Sequence, residues 1–288
     1  MDLHADALVP VRSPGVSGDL RRWPVTPLPG LDRAAHLWVW LPPGYDDDDT
    51  RHPVVYLHDG DNLFLREASF AGEVWHVDRA MSALAAEGTT AIVVGVPCHP
   101  TRRGEEYTPL PHPELGGGRA EDYLRFLLDE LKPAVDATLR TLPDREHTVV
   151  AGSSLGAVVS AHLWRRRPET VGGVGLFSPA FWWPGEQSLV DLEEALEGGL
   201  TGRVHLDVGG REDPADPERE QRYVADAERL LASLRRARVP VRYVFDAVAH
   251  HHETAWAGRV REALAWLLRG YAAPAPPHVD LAPAPPSG

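Results

Sequence analysis

The chain has 288 residues, a formal net charge of −13 and one cysteine, Cys98. The excess of acid, without any basic cluster, argues against nucleic acid or an anionic membrane as a partner. A single cysteine excludes an intramolecular disulfide and is typical of a reducing compartment. The N-terminus has no apolar centre like that of a secretory signal, and no apolar run is long enough to span a membrane. We therefore expect a cytoplasmic protein.

The predicted elements begin after an N-terminal arm. Residues 1–30 are rich in Pro, Gly and Asp, and we expect them to be irregular, with at most a strand near 23–28. Residues 36–41 are predicted to form a strand, and the apolar run 53–58 a strand buried on both faces. The acidic run 46–49 lacks the spacing of a calcium loop, which favours a solvated loop.

Helical and strand patterns alternate along the rest of the chain. Predicted helices cover 74–87, 120–140, 155–167, 218–236 and 254–269, and predicted strands cover 90–96, 148–151, 171–178, 204–208 and 241–245. Such alternation indicates an α/β fold with a mostly parallel sheet and helices on both faces. We assign one domain to residues 31–271 and expect the Ala/Pro-rich tail, 272–288, to be disordered. Pro133 is expected to kink or divide its helix, and the long connector 99–118 is a candidate functional loop.

The motif Gly152-Ser153-Ser154-Leu155-Gly156 joins a strand pattern to an alanine-rich helical pattern. This arrangement predicts a nucleophile elbow, in which Ser154 lies on a sharp turn and the glycines leave room for the turn to close. The alternative is a glycine-bearing turn that carries serine by chance. The strand and helix patterns on either side favour the elbow.

A serine nucleophile needs an imidazole base and an acid that orients it. The last strand is followed by three consecutive histidines, 250–252, and the preceding strand by Glu212 and Asp213. A metal site is a weaker interpretation of the histidines, because neighbouring side chains point in different directions and no further cluster completes a ligand set. The residues alone choose neither the histidine nor the acid.

An oxyanion hole needs two backbone N–H donors. Leu155, which follows the nucleophile, supplies one of them. The loop that begins at Asp59 supplies the other, and Asp61 is the preferred donor.

These stretches resemble the putative-esterase family of α/β-hydrolases, which includes enterochelin esterases, esterase D-type S-formylglutathione hydrolases, feruloyl esterases and mycolyltransferases. The resemblance covers about residues 37–268, and these matching segments carry it: 41–45, 56–64, 103–109, 151–156, 177–183, 207–212 and 251–256. It implies the α/β-hydrolase fold. It also selects His251, five residues before Trp256, and Glu212, three residues after Gly209. The chain departs from the family where Val248-Ala249 and Ala157 replace the usual glycines.

The resulting hypothesis is a serine carboxylic-ester hydrolase that uses no metal or organic cofactor. Its substrate would be a small-molecule ester, of the siderophore or aromatic type. Four residues are candidates for the substrate pocket: Arg103, Tyr107, Trp182 and Trp183. The alternatives are an acyltransferase of the same fold and a non-catalytic binding protein on a hydrolase scaffold. The sequence is also compatible with a homo-oligomer.

Overall fold

The structure is a computed structural model that describes residues 1–270. Its strands are β1 (Val9–Pro10), β2 (Asp19–Leu28), β3 (Arg33–Leu41), β4 (Val54–His58), β5 (Ile92–Val96), β6 (Pro111–His112), β7 (Gly116–Gly117), β8 (Thr148–Ser153), β9 (Gly173–Phe177), β10 (Arg203–Arg211) and β11 (Val241–His250).

The helices are α1 (Val77–Ala86), α2 (Arg103–Tyr107), α3 (Ala120–Leu124), α4 (Lys132–Thr138), α5 (Leu155–Arg166), α6 (Glu186–Glu197), α7 (Pro217–Arg236) and α8 (Glu253–Leu267). Three short 3₁₀ turns cover Ala5–Ala7, Gly60–Asn62 and Arg145–His147, and a π-helical segment covers Arg125–Leu131. Within the part of the chain that the structure describes, no helix is both long and apolar enough to cross a membrane.

A nine-stranded sheet organises the molecule, in the order β1-β2-β3-β5-β4-β8-β9-β10-β11. The six strands from β5 to β11 in this order are parallel, while β1, β2 and β3 add an antiparallel edge. All residues of β4, β5, β8 and β9 are buried, which explains why these strands appear in the sequence as short apolar runs. The predicted α/β fold is confirmed.

Helices cover both faces of the sheet and enclose two apolar cores. One core contains residues of α3–α7, including Tyr123, Leu163 and Leu230. The other contains residues of α1 and α8, including Met81 and Leu264. Parallel strands are joined by crossover helices, which pack on both faces of the sheet. This packing fixes the positions of the strand ends relative to one another.

The N-terminal segment, expected to be irregular over residues 1–30 with at most a strand near 23–28, contains a longer strand that includes this stretch. Residues 19–28 form β2, which pairs with β3 over residues 19–23 and 26–28. The pairing shifts register between Trp23 and Thr26, around Pro24, which has no N–H to donate to a ladder. Trp23 is nevertheless buried, so packing outweighs the proline signal that suggested irregular structure.

Two other elements differ from the sequence patterns. Helix α6 was not predicted, although Leu189, Leu192 and Leu196 recur at helical spacing on its buried side. The predicted helix 120–140 is divided, as expected, but by the π-helical segment that ends just before Lys132-Pro133. The predicted tail, 272–288, and the last residue of the predicted domain lie outside the described residues.

Candidate active site

The structure places Ser154 at a sharp turn between β8 and α5. Its backbone has φ 58° and ψ −121°, a conformation that costs energy for a residue with a side chain. A Cβ atom on Gly152 would lie 3.0 Å from the carbonyl carbon of Gly156, and one on Gly156 would lie 3.2 Å from a carboxylate oxygen of Asp59. The two glycines therefore allow the close approach that the elbow requires.

The pairing of β10 with β11 brings the acid and the histidine together. Arg211 lies opposite His250 in this register, so the residues that follow each of them are neighbours. Nδ1 of His251 lies 2.6 Å from Oε2 of Glu212. Asp213 instead accepts a hydrogen bond of 2.5 Å from Nε of Arg219.

The two neighbouring histidines have other surroundings. The side chain of His252 caps α8, where its Nδ1 accepts the backbone N–H of Thr254 at 3.3 Å. His250 is exposed at the end of β11. Within residues 1–270, no group of three or more His, Cys, Asp or Glu side chains is arranged to hold a metal ion.

The carboxylate of Glu212 is buried, and both of its oxygens have hydrogen-bond partners. The hydroxyl of Ser178 donates to Oε1 at 2.7 Å, and the backbone N–H of Gly209 donates to the same oxygen. Burial by itself raises the pKa of Glu212, but the hydrogen bonds from His251, Ser178 and Gly209 together hold that pKa below its ordinary value. Glu212 is therefore ionised at neutral pH and can accept the imidazole N–H.

Two aromatic rings fix the plane of the imidazole. The His251 ring meets Trp256 edge to face, with centroids 5.0 Å apart, and Tyr223 lies 5.0 Å away at 47°. Burial raises the pKa of Tyr223 to about 12, against smaller opposing effects from the nearby Trp182 and Ser154 side chains. Tyr223 is thus a protonated phenol next to the nucleophile at neutral pH.

The loop after β4 lies next to the elbow because β4 and β8 are paired. Asp59 has a left-handed conformation with φ 53°, and the 3₁₀ turn that follows contains Asp61. Oδ1 of Asp61 accepts one hydrogen bond of 2.8 Å from Nε1 of Trp38 and is 2.8 Å from Nε2 of His36. Leu155 begins α5, so its backbone N–H has no carbonyl partner within the helix.

Arg103 and Tyr107 lie beneath this loop. The guanidinium of Arg103 donates to both carboxylate oxygens of Asp59, at 2.7 and 2.8 Å, and to the carbonyl of Ser153 at 3.2 Å. The side chain of Tyr107 is fully buried, and its hydroxyl accepts the backbone N–H of Asp59 at 3.1 Å. Both residues support the loop and the elbow, and Tyr107 has no exposed surface.

Trp182 and Trp183 lie between α7 and the connector 99–118. Nε1 of Trp183 donates to the carbonyl of Gly116 at 3.2 Å. Trp182 packs against Trp183 and Tyr223, with ring centroids 5.6 and 6.2 Å away, and Arg219 lies over its ring. Both tryptophans are partly exposed, which is compatible with the pocket role predicted for them.

Sequence reasoning missed two residues that contact the catalytic candidates. In the sequence, Ser178 is only one residue of the matching segment 177–183, yet its hydroxyl joins Glu212 to Trp256. Tyr223 is in the middle of α7, where its apolar body matches the helix pattern and gives no separate signal. Only the packing of α7 against the sheet reveals its position.

A mostly parallel sheet with a serine elbow after β8, an acid after β10 and a histidine after β11 defines the α/β-hydrolase fold. The chain belongs to the putative-esterase family, whose model matches residues 29–267. The family resemblance drawn from the sequence is therefore confirmed.

Two relatives and one solved structure illustrate the similarity. The chain is 28% identical over 180 residues to an endo-1,4-beta-xylanase/feruloyl esterase of Xylanibacter ruminicola, covering 61% of this chain and 23% of the relative. It is 26% identical over 180 residues to a siderophore enterobactin esterase of Emericella nidulans, covering 55% and 57%. The match thus spans less than two thirds of either relative. The BES protein from Bacillus cereus has the same fold, with a TM-score of 0.69 at 18% identity, covering 89% of this chain and 97% of that one.

Proposed function

We propose that the protein is a serine carboxylic-ester hydrolase with Ser154, His251 and Glu212 as its triad. The observation that carries the proposal is the 2.6 Å contact between His251 and the buried, ionised Glu212. Glu212 and His251 follow the adjacent strands β10 and β11, and the strained Ser154 follows β8, so all three lie at the carboxyl ends of the parallel strands. Membership of the putative-esterase family supports the same chemistry.

In the proposed reaction, Oγ of Ser154 attacks the ester carbonyl carbon while Nε2 of His251 takes the hydroxyl proton. The backbone N–H groups of Leu155 and Asp61 stabilise the negative charge on the carbonyl oxygen. The C–O bond then breaks, and His251 returns the proton to the departing alcohol, which leaves an acyl group on Ser154. Water attacks this acyl-enzyme, again with His251 as base, and releases the acid and the free serine. Glu212 stabilises the imidazolium that forms in each half-reaction.

The relatives narrow the class of ester that we propose. One of them is named a siderophore enterobactin esterase and another carries a feruloyl esterase name. We therefore propose a small-molecule ester of the siderophore or aromatic type. The partly exposed Trp182 and Trp183 can line the entrance to the site on the side of α7.

The test is the intact mass of the protein after exposure to a fluorophosphonate, followed by assays on a panel of esters. We expect one adduct on the wild type, none on Ser154→Ala, and a loss of kcat in that variant of up to ~10⁶-fold, as for other serine hydrolases that lose the nucleophile. Ser153→Ala is the matched control, because it removes the adjacent serine and should still be labelled. No adduct on folded wild type, or an adduct on Ser154→Ala, would refute the proposal.

A further inference from the structure

A cavity of about 590 Å³ opens beside the loop after β4, on the side of the antiparallel edge of the sheet. Residues from β2, β3, the loop after β4 and the segment after β5 form its wall. Its volume lies in the range of about 300–1,000 Å³ that is usual for small-molecule sites. The triad and the two tryptophans are not part of this wall.

The wall is largely apolar. Ala34, Ala35 and Pro97 contribute small apolar surfaces, while Val25 and Phe70 stand at the cavity with 69% and 68% of their surfaces exposed. Exposed apolar side chains that lie together around a concave surface are typical of a ligand-binding site. The cavity therefore offers a surface that an apolar group would desolvate.

The charged groups of the wall are already paired. Arg33 donates to both carboxylate oxygens of Glu106 at 2.7 and 2.9 Å, and Arg103 is engaged by Asp59. Asp61 is engaged by His36 and Trp38. An anionic ligand would have to compete with these carboxylates, whereas an uncharged ligand leaves every pair intact.

The position of the cavity decides which half of the ester it faces. Asp61, whose backbone N–H is a proposed oxyanion donor, is part of the cavity wall. Arg103 is also part of the wall, and it donates a hydrogen bond to the carbonyl of Ser153, the residue before the nucleophile. In the sheet, β3, β5 and β4 lie on one side of β8, and β9, β10 and β11 lie on the other. His251 is therefore on the far side of Ser154 from the cavity. Because the alcohol must stay within reach of the imidazole that protonates it, the acyl group is the half that points toward the cavity.

We propose that this cavity is the acyl-binding site and that it selects an uncharged, mainly apolar acyl group. The proposal rests on the proposed ester hydrolysis and deepens it. Phe70 and Ala34 then determine specificity, Phe70 by supplying apolar contact and Ala34 by leaving space.

The experiment compares p-nitrophenyl acetate with p-nitrophenyl octanoate, which have the same leaving group and differ only in the acyl group. In Ala34→Trp the indole fills the cavity, so we expect kcat/KM for the octanoate to fall at least about tenfold, a change typical of an altered apolar pocket, while that for the acetate stays within about twofold. Ala232→Trp, at an exposed position of α7, is the matched control and should leave both values unchanged.

A second variant keeps the test decisive if Ala34→Trp does not fold. Phe70→Ala should raise KM for the octanoate with little change for the acetate, whereas Leu115→Ala, an exposed apolar residue outside the cavity, should change neither. A mono-p-nitrophenyl ester of octanedioic acid, with its anionic acyl end, should be a poorer substrate of the wild type than the octanoate. If the wild type is labelled and active, but the ratio of kcat/KM for the octanoate to that for the acetate is unchanged in both cavity variants, the proposal that the cavity binds the acyl group is wrong. If the wild type is not labelled and hydrolyses no ester, the proposed function itself fails.

Discussion

At the scale of single residues, Ser178 is the side chain that joins Glu212, the proposed triad acid, to Trp256, the aromatic neighbour of His251. Its hydroxyl donates to Glu212 at 2.7 Å and accepts the indole N–H of Trp256 at 3.1 Å. Its backbone has φ 44°, a left-handed conformation that a residue with a side chain adopts at a cost. The hydroxyl is thereby held in a buried position where it both lowers the pKa of Glu212 and fixes the indole.

Ser178→Ala tests this positioning role. Because the hydrogen bond from Ser178 lowers the pKa of Glu212, its loss should raise that pKa. Protonation of Glu212 then removes the partner of His251 at a higher pH, so the acid-side loss of kcat/KM should extend to higher pH in the variant. We expect kcat to fall by about tenfold, which corresponds to ~1.4 kcal/mol. The measurement is a pH–rate profile of both proteins with one ester.

The control for this variant is Ser188→Ala, which removes another buried serine hydroxyl. Ser188 is in α6, and its side-chain oxygen has no hydrogen-bond partner within the described chain, so the loss of this hydroxyl should leave the profile in place. An unshifted acidic limb in Ser178→Ala, with the fold intact, would contradict the role assigned to Ser178.

At the scale of elements, one buried contact ties the loop after β4 to the start of α8. Nδ2 of Asn62 donates to Oε1 of Glu253 at 3.1 Å, and both side chains are buried. Oδ1 of Asn62 accepts from the hydroxyl of Ser69 and the backbone N–H of Phe70. The contact therefore connects the proposed oxyanion donor, next to Asn62, with the histidine that lies two residues before Glu253.

Substitution of either partner should separate these two elements. We expect Asn62→Ala and Glu253→Ala each to lower kcat by about tenfold, and the double variant to be no worse than the more impaired single variant, because all three lose the same contact. Glu253→Gln keeps an acceptor for Asn62 and should remain close to wild type. Steady-state kinetics of the four variants measure the coupling, and strictly additive losses would show that the contact does not act as a unit.

At the scale of the whole molecule, buried neutral histidines make folding depend on pH. His58 is at the end of β4 in the core, where its Nδ1 lies 2.9 Å from the hydroxyl of Tyr123. Burial lowers its pKa from 6.5 to about 3. Below pH 6.5 the unfolded chain binds a proton at this position and the folded chain does not. The free energy of unfolding is therefore not reduced by His58 above pH 6.5, and it decreases as the pH falls from 6.5 toward 3.

His58→Gln should flatten this dependence. We expect the slope of the unfolding free energy between pH 6.5 and 5 to decrease by at most about 1.4 kcal/mol per pH unit, the value for one proton. Urea denaturation at several pH values measures the slope, which is separate from any constant loss of stability caused by the substitution. His4→Gln, at an exposed histidine, should keep the wild-type slope. An unchanged slope in His58→Gln would mean that His58 is not a source of the acid sensitivity.

Much of this molecule was accessible from the sequence because its signals are local. Apolar runs marked the buried strands, and the glycines around Ser154 marked the elbow, whose steric requirement depends on a few neighbouring residues. The family motifs then singled out His251 and Glu212, which the structure brings to 2.6 Å. Failures also had local causes: only the part of β2 near 23–28 was predicted because its prolines and the charged residues before them conceal the rest, and the leucine spacing of α6 was overlooked.

The fold class, the turn that carries Ser154 and the chain order of serine, acid and histidine, each after a strand, could all be predicted from the sequence alone. Only the tertiary structure decided that Ser178 and Tyr223 contact the catalytic candidates, that Arg103 and Tyr107 support the loop from below, and that a cavity lies toward β3. The physical reason is that backbone conformation follows from nearby residues, whereas these contacts join segments tens of residues apart. Their geometry is set by the packing of helices on both faces of the sheet, which no local pattern records.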